Sequence, residues 1–552
     1  HRRDAPIELF HRLAELRSSP FVRRQHELTG EIGPGQLQRL QCLLLLRIAH
    51  GLAACRGALP LEFFHSFLNA RIRVNQAFAG VTHVLPCPFH LHGAGPRCTT
   101  PRPSVSSTLA RRSRVLRSAV GRGTFVAEQA EERPASPAPR AEPGGLPWAS
   151  LTANAVNVEP LTRAERLVPG GQSDMISLGR MQPSADLLPH ELLRRCLDHV
   201  LRTVGARALS YTAREGLPRL RTLVADDLVR QGVPAAPEDL IITTGSQQAL
   251  DLVARTLVNP GDPFLVDEST YQGALSLLGV AGARLIGVPS DDEGPDLATL
   301  ERHCHAGVKG LYVMPNCQNP TGTRISAVRR QALLAWSQKA RVPLIEDDYA
   351  SDLQLDGQLP PPALRSLDGD VIYMGTYSKK LIPALRVGYL LCPPALRPHV
   401  AALKHAIDLG TSALMQHALA EFLERGYLRA HLGRSLLEYR RRRDALEAAL
   451  HRHLPSEIRW RSPQTGIVLW LPMPHSIDPE ALYREAQRHG VIIQPSTVHA
   501  VGRPEQRGVR LTFCAEPPER LEEGARRLGR ALSALERRQR GQRVTDVPVE
   551  IP

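Results

Sequence analysis

Lysine is nearly absent from this chain: of 69 basic residues only five are lysine, so arginine is its default cation. Cys-x-x-Cys pairs are absent too, and the nine cysteines, at 42, 55, 87, 98, 196, 304, 317, 392 and 514, are odd in number. That usage argues against a secreted disulfide framework and fits a reducing cytosol, so a cytoplasmic location is expected. No apolar run is long enough to cross a bilayer. The most apolar stretch near the N-terminus, Cys42 to Cys55, is interrupted by Arg47 and His50, whereas a spanning helix needs ~20 apolar residues. No membrane partner is expected. Metal ligation is poorly provided for as well: His83, Cys87, His90, His92 and Cys98 lie close together, but their spacing matches no zinc-finger pattern, and no metal is expected.

What is present is a long chain of 552 residues, 42% apolar and 22% charged, the balance of an ordinary globular protein. Its length exceeds one hydrophobic core and points to about two to four domains, which excludes a peptide hormone or a lone binding module. The net charge of +14 is uneven, because residues 1–150 carry 20 arginines against 10 acidic residues. Such a skew permits a nucleic-acid partner. The arginine bias of the whole chain, which coding composition could produce, explains it equally well. The sequence begins at His1 and not at Met, which points to a missing upstream piece.

Four regions follow from texture. Residues 1–127 form an atypical N-terminal region with one helical start, Pro6 ahead of Ile7, Leu9, Phe10 and Leu13, and little sustained periodicity after it. It closes on Gly121-Arg122-Gly123, a tight turn, and Thr124-Phe125-Val126, the returning strand of a small hairpin. Residues 128–172 read as a linker, with Pro134, Pro137, Pro139 and Pro143 among Glu, Ala and Ser. From 173 to about 540 short apolar runs alternate with helical stretches, and 541–552 are a tail. The runs Leu240–Thr243, Phe264–Val266, Leu285–Val288, Leu311–Met314, Pro343–Ile345 and Val371–Met374 predict buried strands of a largely parallel sheet covered on both faces. Binding loops are then expected at their carboxyl ends. Leu521, Ala525, Leu528, Leu532 and Leu535 predict a final helix with one core-facing stripe.

Against the scarcity of lysine, one position stands out. Thr376-Tyr377-Ser378-Lys379-Lys380 follows a predicted strand and precedes Pro383-Ala384-Leu385-Arg386-Val387-Gly388. An adjacent lysine pair is ordinarily a solvated patch, but an amine set among hydroxyls beside an arginine turn suits Schiff-base chemistry, since nearby positive charge lowers its pKa.

With Asn319-Pro320-Thr321-Gly322 and Glu346-Asp347-Asp348-Tyr349 in the same order, residues 173–536 resemble the class I/II aminotransferase domain of fold-type I pyridoxal-phosphate enzymes. The resemblance implies an α/β fold, with a mostly parallel large-domain sheet (about 205–400) and a smaller α+β domain (173–204 and 410–540). It implies pyridoxal 5'-phosphate as cofactor and a homodimer. Lys379 matches the lysine that holds the cofactor as a Schiff base, Asn319 and Tyr349 the partners of the pyridoxal O3′, and Asp347 the carboxylate beside the pyridine nitrogen. Tyr271 matches the aromatic stacked on the ring. Gly245, Ser246 and Gln247 match the phosphate loop, and Thr376, Ser378 and Arg386 complete the phosphate cup. Tyr211 resembles the tyrosine that reaches the neighbouring subunit's phosphate, and Arg510 the arginine that grips the substrate α-carboxylate. The reaction so implied moves an amino group from an amino acid to a 2-oxo acid.

Gly121-Arg122-Gly123-Thr124-Phe125-Val126 resembles the wing of a GntR-type winged helix, with Arg122 as a candidate DNA contact. Winged helix, linker and aminotransferase-like domain in that order resemble MocR-type regulators, in which the cofactor domain senses an effector. Ile176-Ser177-Leu178-Gly179 and Leu187-Leu188-Pro189 are also similar to one branch of that group. Residues 50–117 depart from the pattern, showing neither the Ser-Arg-x-Thr-like recognition helix nor the aromatic third helix. Two explanations stand side by side: an upstream portion read out of frame, and a divergent N-terminal extension. Enzyme and regulator both remain open. An idle structural dimer is disfavoured, because residues for both the Schiff base and the carboxylate grip are present.

Overall fold

The computed structural model describes residues 116–119, 123–126, 146, 148–166, 174–502 and 506–545. The helix start at Pro6, the cluster from His83 to Cys98, Arg122, the proline-rich stretch 128–145 and the residues after 545 lie outside the described residues. Among those described, no helix is long and apolar enough to cross a membrane, and no group of His, Cys, Asp and Glu could hold a metal ion.

The chain divides into two units between Pro139 and Arg140. In the first, β1 (Leu116–Ala119) and β2 (Gly123–Val126) pair antiparallel, with Ala119 opposite Gly123. This is the hairpin expected around the Gly-Arg-Gly turn.

The second unit holds the remaining strands: β3 (Ile176–Ser177), β4 (Leu240–Thr243), β5 (Pro263–Asp267), β6 (Arg284–Val288), β7 (Leu311–Val313), β8 (Leu344–Asp348), β9 (Ile372–Thr376), β10 (Gly388–Leu391), β11 (Val468–Pro472), β12 (Val491–Ile492), β13 (Gln494–Pro495) and β14 (Gly508–Thr512). Seven of them form one sheet in the order β4-β10-β9-β8-β7-β5-β6. All its pairings are parallel except the two made by β10. The six expected runs become β4 to β9, with ends shifted by a few residues. β10 is not among them. Its short run follows β9 too closely for a helical crossover, and a strand returning by so short a connection can only enter antiparallel.

Strands β4, β7, β8, β9 and β10 are buried at every position. Alternate residues point to opposite faces: Ile241 packs with Leu250 and Val253 of the helix Ser246–Leu257, while Leu240 and Ile242 pack with Leu220, Val224 and Leu228 of the helix Pro218–Arg230. A three-stranded antiparallel sheet, β11-β14-β13, and the parallel pair β12-β3 make up the smaller layer. The last helix, Pro518–Thr545, buries Leu521, Ala525, Leu528, Leu532 and Leu535 as its stripe predicts.

Candidate active site

The carboxyl ends of β4, β5, β7, β8 and β9 converge on one side of the sheet, and β14 of the smaller layer faces them across a cavity of about 240 Å³. Ser246, Gln247, Tyr271, Asn319, Asp347, Tyr349, Thr376, Ser378, Lys379, Arg386 and Arg510, all singled out from sequence, line it. Gly245 stands behind them. Its φ of 82° is left-handed, and a Cβ there would lie 3.0 Å from the Arg386 guanidinium, so glycine lets the chain turn tightly into the helix Ser246–Leu257. That helix directs its free N-terminal amides at the cavity. Arg386, itself at φ 49°, donates to the Thr244 carbonyl at 3.1 Å. The Ser378 amide donates to Thr376 Oγ1 at 3.2 Å. Amides, hydroxyls and a guanidinium thus meet at one end, a seat for an anion.

Tyr211 stands apart. It is 81% exposed on this chain and does not line the cavity.

At the other end, Asp347 is buried between opposing influences. Tyr312 donates its hydroxyl to Oδ2 at 2.7 Å, and Oδ1 has no partner. Burial pushes the carboxyl up to about 6, and Asp348 adds to the shift, while Tyr312 and Lys379 oppose it. Asn319 Oδ1 accepts from Arg510 Nη1 at 2.9 Å, Arg510 Nη2 donates to the Gly179 carbonyl at 2.8 Å, and Nε has no partner. Among the described residues no carboxylate forms an ion pair with Arg510. Burial brings its guanidinium down to about 10, against the pull of Tyr349, Cys514 and Tyr271. Tyr349 donates to Cys317 Sγ at 3.2 Å, and Tyr271 donates to Gln247 Oε1 at 3.1 Å.

The five lysines differ sharply. Lys309 meets Asp262 at 3.8 Å, Lys339 Glu301 at 2.8 Å, Lys380 Asp352 at 2.5 Å and Lys404 Asp408 at 3.0 Å. Lys379 instead donates to a neutral group, the Met181 carbonyl, at 2.6 Å. Burial holds its amine below the usual lysine range, Arg510 and Arg386 reinforce that, and Cys514 and Asp347 oppose it. Lys380 points away, under the rings of Tyr377 and Tyr389. The two neighbours therefore have separate roles, one structural and one facing the cavity.

Sequence reasoning missed Met181, Met314, Gln494 and His499 on the cavity wall, and Tyr312 behind Asp347. Tyr312 could have been found, since a polar ring at the centre of an apolar run needs a buried acceptor. Gln494 becomes visible only through the register that sets it opposite Arg510 in the β13–β14 pair. His499, in a segment without periodicity, carried no signal.

These observations test whether pyridoxal phosphate fits. An anion seat, an unpaired buried carboxylate oxygen able to take the N–H of a pyridinium, and a lysine whose burial favours the neutral amine share one cavity, and all three match that cofactor's groups. Fold and cavity together define a fold-type I pyridoxal-phosphate-binding domain. Residues 174–528 match the family profile "Aminotransferase class I and II", and the chain belongs to that family. It is similar to aromatic-amino-acid aminotransferase 1 of Thermococcus litoralis, 32% identical over 369 residues that cover 65% of this chain and 88% of the relative. It is also similar to the probable rhizopine catabolism regulatory protein MocR of Rhizobium meliloti, 32% identical over 424 residues, or 76% and 84% of the two chains. Among solved structures, LysN, the α-aminoadipate aminotransferase of Thermus thermophilus in complex with N-(5'-phosphopyridoxyl)-L-leucine, superposes with a TM-score of 0.65 at 31% identity, covering 71% of this chain and 99% of that one. The domain is a pyridoxal-phosphate-dependent aminotransferase domain, and an amino acid with a 2-oxo acid is the substrate pair its fold takes.

Proposed function

We propose that the chain takes α-amino acids by their carboxylate on Arg510 and passes the amino group to a 2-oxo acid, with Lys379 as the lysine that carries the cofactor. One observation bears most of the weight: Arg510 is a buried cation with no carboxylate partner among the described residues, and it faces the cavity that also holds Lys379. A buried charge without a counter-ion is costly. A substrate carboxylate would supply the counter-ion in a bidentate fork.

Pyridoxal phosphate, when bound, supplies the electron sink for charge that develops at Cα. The remaining tasks fall to this chain's residues. Gly245, Ser246, Gln247, Thr376, Ser378 and Arg386 seat the phosphate. Asp347 would hold the ring nitrogen, and a positive charge there would restore its ionised form. Asn319 and Tyr349 would hold O3′, and Tyr271 would cover the ring. Lys379, whose burial favours the neutral amine, would serve as the base that takes the proton from the substrate Cα. Tyr211 completes the phosphate seat of the partner in a homodimer.

A second reading has its own support. The similarity to MocR spans 424 residues, a longer stretch than the 174–528 matched by the family profile, and a hairpin stands at 116–126. In that reading the N-terminal unit, with Arg122, binds DNA, and the aminotransferase domain senses an amino compound.

Arg510→Lys tests the first reading, since Lys keeps the charge but loses the fork. The variant is expected to keep the visible absorbance of bound cofactor while its half reaction with α-amino acids weakens by about tenfold or more, and amines without a carboxylate are affected much less. Equal losses for both classes place Arg510 in the scaffold. Sequence-specific DNA retention without steady turnover on any amino-acid and oxo-acid pair selects the regulator.

A further inference from the structure

His499 lies in the short 3₁₀ turn Ser496–His499, is 1% exposed, and is satisfied on one side only. Its Nδ1 is 3.0 Å from the Thr270 carbonyl oxygen. A carbonyl only accepts, so Nδ1 carries the hydrogen and Nε2 of the neutral ring presents a lone pair. Nε2 is buried without a hydrogen-bond partner, and the ring lines the same cavity as Arg510, Tyr271 and Gln494. Protonation does not relieve it: burial, and then the Arg510 guanidinium, push the imidazole down to about 3, with the Thr270 contact opposing. The cavity wall therefore offers a fixed acceptor at neutral pH, close to the cation assigned to the carboxylate.

We infer that Nε2 of His499 selects among amino substrates, favouring those whose side chain carries a neutral N–H or O–H donor, such as a carboxamide or a hydroxyl. A side chain that packs against this lone pair without offering a donor leaves a buried acceptor stranded. An acidic side chain meets a lone pair instead of a donor, and a cationic one meets the field of Arg510. The inference rests on the reading that this cavity takes an amino acid with its carboxylate on Arg510.

Stable phosphopyridoxyl conjugates separate the two ideas, because they report affinity without turnover. The probes are the conjugates of asparagine and its apolar isostere leucine, and of glutamine and homoleucine, titrated into the full chain stripped of cofactor. In at least one pair the wild type is expected to bind the amide conjugate about tenfold more tightly than its isostere, His499→Phe to bring that ratio close to one, and His499→Gln, which returns an acceptor, to restore part of it. Absence of amide preference in both pairs, or a preference that survives in His499→Phe, overturns the inference. Failure to transaminate would overturn the proposed activity and leave these affinity ratios standing.

Discussion

Tyr312 and Asp347 share one hydrogen bond of 2.7 Å, and it occupies only half of the carboxylate: Oδ2 accepts, while Oδ1 is buried with no partner. Asp347 is thus an incompletely satisfied acid on the cavity wall.

Stability of the cofactor-free protein should accordingly depend on pH through this residue. Asp347 is raised from 3.8 to about 6, mainly by burial, so between those values the folded chain holds a proton that the unfolded chain releases. Stability then falls as pH rises through that window and levels off above it, by about 3 kcal/mol for a shift of this size. Asp267 and Glu346, raised to about 6 and about 7 chiefly by burial, act in the same direction. The informative quantity is therefore the difference between wild type and Asp347→Asn. Urea unfolding between pH 4 and pH 7 should show a shallower fall in the variant, and parallel curves would refute the assignment.

The adjacent lysines should respond unequally to substitution. Lys380→Met strands the partly buried Asp352 carboxylate beside a buried position and should cost about 3 kcal/mol of unfolding free energy. Lys379→Ala removes no ion pair and should cost about 1 kcal/mol or less. Borohydride reduction of the pyridoxal-phosphate-loaded protein should fix the cofactor on the Lys379 peptide. A label on Lys380 would reverse the two roles.

Gly388→Ala tests how tightly the anion seat is built. A Cβ at Gly388 would lie 2.7 Å from the Gly245 carbonyl carbon and 2.8 Å from the Gly375 oxygen. Both neighbours are backbone, so the strands must separate. Overpacking of this kind costs about 1–3 kcal/mol, and because Gly245 leads into the phosphate loop, pyridoxal-phosphate affinity should fall with stability. Calorimetry with a cofactor titration would read both, and unchanged affinity would show the loop to be decoupled from β10.

Tyr211, 81% exposed here, should matter only in a dimer. Mixing Tyr211→Phe with Lys379→Ala subunits should create hybrids in which one site carries neither lesion, and the mixture should exceed both parents in half-reaction rate. A monomer in sedimentation that binds cofactor as well as the wild type does would exclude a shared site.

Much of the fold was legible in the sequence because parallel strands covered on both faces carry short apolar runs, and β4 to β9 each contain one. β10 escaped because four residues after a turn have no period to read, and its direction comes from loop length. Ten of the residues singled out reach one cavity because they sit in motifs at or just past strand ends, where a parallel sheet gathers its loops, and Arg510 reaches it from β14 of the smaller layer. His499 and Gln494 come from the smaller layer, where strand register and a turn bring them into place. No local pattern announces such contacts, since they depend on residues far away in the chain.

The unequal fate of the lysines bears on chemoselectivity. An amine attacks an aldehyde only after losing its proton, and only if the aldehyde can reach it. Lys339 holds its proton more firmly than usual because Glu301 accepts from it, and Lys380 does so because Asp352, Tyr389 and Tyr377 outweigh the effect of burial. Lys404, whose proton burial loosens, is wholly enclosed. Lys379 combines a loosened proton with an open approach. Sparse use of lysine leaves few rival amines, so stray carbonyl compounds should find little else in the described structure with which to condense, and adducts should concentrate where a competing cofactor can displace them.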